Sequence, residues 1–167
     1  MSYAEIKAEL KLRYNEFVAN KRSKSPQTSN ALLPSEGDLG TYEHLDDQGE
    51  RFDNITPHHM PASKYMSSSD NIPPKFRLEH EESLAMNLEQ IHPGAGGRHR
   101  RTFTYGMSGR NKELYLALKP RDALAFDILD VRRILIEDGV YDSFMRGQLR
   151  KHIDSYETLL PEIFLKK

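Results

Sequence analysis

Two adjacent histidines, His58 and His59, stand between two prolines in Asn54-Ile55-Thr56-Pro57-His58-His59-Met60-Pro61. Imidazole is the commonest metal ligand and the commonest general base near neutral pH. A neighbouring pair can divide those roles. One ring coordinates a divalent cation while the other takes a proton from water. Pro57 drives Thr56 towards an extended backbone, so the run into His58 reads as a strand. Successive strand side chains point to opposite faces, so the chain must bend if both rings are to serve one site; Pro61 helps that bend. About forty residues on, His99 lies in Gly96-Gly97-Arg98-His99-Arg100-Arg101-Thr102-Phe103-Thr104-Tyr105-Gly106, from where it could close a metal shell. Asn87, between the two segments, could orient the base histidine through its side-chain carbonyl. A His-His pair on its own is more often a surface or packing feature than a site. His44, His80, His92 and His152 are read as structural or solvated, and Tyr105 as a strand residue facing a core.

Arg98, Arg100, Arg101, Arg110 and Lys112 lie within fifteen residues and no acid interrupts them. Arginines of this kind supply most phosphate contacts to nucleic acid. Gly94, Gly96 and Gly97 permit close backbone approach. Glycines and arginines around a metal-ligating His99 thus form a phosphate-friendly constellation. The alternative is a solvated loop whose arginines pair with acidic helices.

The rest of the composition bounds these readings. The chain has 167 residues and a formal net charge of −1, so attraction to nucleic acid must come from a local patch. It contains no Cys, which excludes disulfides, Cys-based zinc sites and thiol nucleophiles. No apolar run is long enough to span a bilayer, and the N-terminus lacks the charged start and apolar core of a signal peptide. No membrane partner is expected.

These residues need elements to hold them. Tyr3, Ile6, Leu10, Tyr14 and Phe17 form one stripe of an N-terminal helix over 1–22, with Ser2 and Glu5 as a capping box. Residues 23–50 read as a loop or linker, with a helical turn around Tyr42-Glu43-His44-Leu45. Residues 51–167 form the part that carries the candidate site, within one domain overall. Short strands are expected around 52–59, 83–88 and 100–105. Two or more helices follow. Leu124, Ile128, Val131 and Leu135 face inward on the first, opposite Asp130, Arg133 and Glu137. Met145, Leu149, Ile153, Tyr156 and Leu160 face inward on the second, which Asp142 caps. The fold class is α+β.

The His-His stretch, the segment Ala85-Met86-Asn87-Leu88 and the Gly96–Gly106 run together resemble the C-terminal toxin domains of bacterial polymorphic toxins, carried on Rhs-repeat, contact-dependent or type VI secretion proteins. Among these, the chain is similar to the His-His nucleases of the HNH/endonuclease VII (His-Me finger) superfamily, over roughly residues 40–165. The resemblance implies a ββα-metal core. It makes His58 the metal-side histidine, His59 the general base, Asn87 the central Asn and His99 the later metal ligand. It also implies a divalent ion (Mg, Mn, Ni or Zn), a DNA substrate, a larger secreted carrier, action in the target cell's cytoplasm and a cognate immunity protein. The competing expectations are a metal-independent ribonuclease toxin and a non-enzymatic adaptor or immunity-type binding module.

Overall fold

A computed structural model describes residues 1–20 and 27–166. Residues 21–22 of the expected N-terminal helix and 23–26 of the expected linker therefore lie outside the described residues. The helices are α1 (Tyr3–Ala19), α2 (Tyr42–Gln48), α3 (Ser63–Ser68), α4 (Gly109–Leu116), α5 (Pro120–Glu137), α6 (Ser143–Leu159) and α7 (Pro161–Phe164). The strands are β1 (Leu39–Thr41), β2 (Ile55–His59) and β3 (Leu84–Glu89). The fold is α+β: one small antiparallel sheet in the order β1-β3-β2, with an N-terminal helix and several C-terminal helices around it. Among the described residues no helix is long and apolar enough to cross a membrane.

Strand order follows from side-chain chemistry. The alternation of Leu84, Met86 and Leu88 suits the central strand, and Met86 and Leu88 are buried. Pro57 cannot donate to a ladder, which confines β2 to an edge. In the β2–β3 register, His58 stands opposite Met86 and His59 opposite Ala85.

The N-terminal helix begins with the expected capping box: Ser2 Oγ accepts from Glu5 N, and Glu5 Oε1 accepts from Ser2 N. Its stripe belongs to the main core, with Leu10 buried and Tyr3, Ile6, Tyr14 and Phe17 packed against it. On α5, Leu124, Ile128, Val131 and Leu135 are buried as their spacing predicts. Asp130 departs from the expected solvent face. It is buried, accepting from Tyr14 Oη and Arg133 Nη2 at one oxygen and from Phe103 N at the other. Asp142 caps α6 through Met145 N at 2.8 Å.

Two expected elements take another form. The segment read as a linker contains β1 and α2, and Glu36 within it is buried beside the end of β3. The strand expected over 100–105 is a 3₁₀ turn at His99–Arg101 followed by further turns. Arg98 and Arg101 both reach Asp138. Residues three apart eclipse in a 3₁₀ turn but face oppositely in a strand, so the shared anion overrides the strand propensity of Thr102-Phe103-Thr104.

Candidate functional site

Strand β2, the 3₁₀ turn and the loop before β3 enclose a cavity of about 270 Å³ lined by His58, His59, His80 and His99, with Tyr42, Ser63, Thr104 and Tyr105 among the other walls. The rings of His58 and His99 meet edge to face with centroids 5.0 Å apart. Gly97 makes that approach possible. Its φ is +111°, and a Cβ there would sit 2.5 Å from the carbonyl oxygen of Glu89. Any side chain would push the turn carrying His99 away from β3. The glycines of this loop thus serve close packing of chain on chain.

Hydrogen bonds fix which ring nitrogens are available. His99 Nδ1–H donates to Gln90 Oε1 at 2.6 Å, which leaves the Nε2 lone pair for a ligand. His59 Nε2–H donates to the carbonyl of His80 at 2.9 Å, so the lone pair of the neutral ring sits on Nδ1. Tyr42 stacks on His59 at 5.0 Å and 9°. The His80 ring is 4.6 Å from that of His59, and its Nδ1 is held by Ser63 Oγ at 3.0 Å. Tyr105 packs edge-on to His99 at 5.3 Å.

Burial pushes the imidazole of His59 down to about 4, with the same result for His99 and for His152, which hydrogen-bonds the carbonyl of Met60. His58 is driven well below its ordinary range, by burial first and by neighbouring His99 second. All four are uncharged at neutral pH. A folded pKa below the unfolded value of about 6.5 means that the unfolded chain binds the proton first. For His59, His99 and His152 stability is therefore full above about pH 6.5 and is lost as the pH falls towards 4, on the order of 3 kcal/mol for each. Glu89 and Asp127, whose carboxyls burial pushes up, contribute the opposite slope. Urea unfolding of the metal-free protein should show the net loss. His152→Gln removes one titrating ring and should shallow the dependence by about one proton; equal slopes in the two proteins would contradict this.

Two imidazoles sharing one tetrahedral ion, with metal–nitrogen bonds of about 2.0–2.1 Å, have ring centroids about 5 Å apart. The His58–His99 spacing fits that requirement, and the tautomer set by Gln90 presents a lone pair. Among the described residues no three His, Cys, Asp or Glu side chains form a group that would hold a metal ion. The donor set is thus a pair of imidazoles, which suits Zn or Ni better than Mg.

Other expected site residues lie elsewhere. Asn87 makes no hydrogen bond to His59. It stands opposite Pro57, two residues or about 7 Å along the sheet from the pairing level of His59. Its Nδ2 donates to the carbonyl of Ser35, and its side chain lines a separate cavity with Asp46 and Asp53. The arginine run is engaged within the chain. Arg98 and Arg101 are buried and paired with Glu36, Glu137 and Asp138. Arg100 donates to the carbonyls of Ile91 and Gly96, and Arg110 binds Glu9 and Glu113. Arg98 and Arg101 hold the chain together because acids distant in sequence reach them first. Conversely, Tyr42, Ser63 and His80 line the cavity, and Gln90 fixes the ring of His99 from outside it. They stand singly in unremarkable sequence and only tertiary contact groups them.

Comparison with protein families, with curated proteins and with solved structures returns no match.

Proposed function

We propose that this chain is a divalent-metal-dependent endonuclease of the His-Me finger kind, hydrolysing DNA as the toxic tip of a secreted bacterial carrier and held in check by an immunity protein. The observation supporting it is the meeting of His58 with His99 across forty residues of sequence, in one cavity with His59. In this reading His58 and His99 hold the ion, which would stabilise negative charge developing on a phosphodiester. His59 takes the proton from the attacking water at Nδ1, its ring fixed by the His80 carbonyl and by stacking on Tyr42. Burial keeps that nitrogen unprotonated before substrate arrives, and an anionic phosphodiester beside it raises its basicity towards neutrality. With the arginines engaged internally, phosphate contacts fall to the imidazoles and hydroxyls of the cavity.

A metal-free ribonuclease is the second reading, favoured by the closeness of the His59 and His80 rings, which could act as base and acid. Purified protein incubated with plasmid DNA and with RNA distinguishes the two. The first reading expects DNA cleavage supported by Zn, Ni or Mn and abolished by excess chelator. RNA cleavage that persists in chelator would replace it with the second.

A further inference from the structure

We propose that His80 is the general acid of this site, donating a proton to the leaving oxygen; this rests on the phosphodiesterase reading above. Two independent contacts place it. Its backbone carbonyl accepts from His59 Nε2, which ties the two residues to a common position, and its ring lies 4.6 Å from His59 in the same cavity. The ring's Nδ1 is held by Ser63 Oγ, so Nε2 is the nitrogen left for the substrate. Among the described residues Nε2 has no protein partner.

Exposure separates His80 from the other three rings. His58 and His59 are buried and His99 is half-buried, whereas His80 is exposed. An acid must regain its proton after every turnover, and an exposed ring does so from solvent. In the step, water forms the new P–O bond and its proton passes to His59 Nδ1. The bond from phosphorus to the leaving oxygen breaks with its electron pair on that oxygen, which takes the proton from Nε2 of the His80 imidazolium. His59 then releases its proton to solvent and His80 recovers one. The sum is one water consumed and one phosphodiester split into a monoester and an alcohol.

A leaving group that needs no proton tests this directly. His80→Ala and His80→Gln keep the backbone carbonyl that orients His59. Both should cleave an oligonucleotide about 10²- to 10³-fold more slowly than the parent protein. On bis(4-nitrophenyl) phosphate, whose phenolate departs unprotonated, the same variants should lose less than about threefold. Melting temperatures measured alongside should stay at the parent value. Equal losses on both substrates, or no loss on the oligonucleotide, would overturn the assignment. A parent protein inactive on both would remove the phosphodiesterase reading itself, and the role of His80 with it.

Discussion

Replacing His59 by alanine should lower phosphodiester cleavage by about 10²- to 10⁴-fold, the usual contribution of a positioned acid or base. The cavity supplies no evident substitute. His58 and His99 face each other and are assigned to the ion, and His80, its ring held by Ser63, is assigned to the leaving oxygen. The effect should fall on turnover and spare cation affinity, because His59 directs its Nε2–H away into the His80 carbonyl. Steady-state cleavage, with metal affinity measured on the same preparations, checks this. Parent-level cleavage by His59→Ala would remove His59 from the chemistry. Loss of cation binding together with activity would instead make His59 a ligand.

A second large effect should come from a residue that touches no substrate. Every N–H of the Arg98 guanidinium has an acceptor. Nε and Nη2 make a two-point pair with Glu36 at 2.8 and 2.7 Å, Nη1 reaches Asp138 and the carbonyl of Ser29 at 3.1 Å each, and Nη2 also reaches the carbonyl of Ala31 at 3.1 Å. Glu89 lies 4.0 Å away, with its carboxyl pushed up by burial. Arg98→Ala would leave the buried carboxylates of Glu36 and Glu89 without their cation and Asp138 with Arg101 alone. Removing one partner of a buried ion pair costs about 3–5 kcal/mol. Arg98→Lys should recover little of this, since an ammonium cannot reproduce the two-point geometry. Denaturant unfolding at neutral pH provides the measurement. A loss below about 1 kcal/mol for Arg98→Ala would show that the network does not hold the fold.

That arginine also marks where sequence reasoning stops. The charge of Arg98 was visible, but its partners Glu36 and Asp138 stand 62 and 40 residues away. Nothing local distinguishes an arginine bound for phosphate from one bound for a buried acid. Asn87 illustrates the same limit at shorter range. Its strand was legible from Leu84, Met86 and Leu88, yet its use depended on how β3 registers with β2. Elements governed by local periodicity were readable: the capped stripe of α1, the inward faces of α5 and α6, and the edge strand that Pro57 demands. His58, His59 and His99 were readable because few residue types do their chemistry. His80 and Gln90 were not, because only chain folding brings them to His59, Ser63 and His99.

The central claim is that His58 and His99 form one cation site beside His59. Calorimetric titration of metal-free protein with Zn²⁺ and Ni²⁺ tests it most directly, using the parent and the variants His58→Ala, His99→Ala and His59→Ala. The expected result is one ion per chain in the parent and in His59→Ala, with binding lost in His58→Ala and equally in His99→Ala. A parent protein that takes up no ion, or variants of His58 and His99 that bind as tightly as the parent, would contradict it.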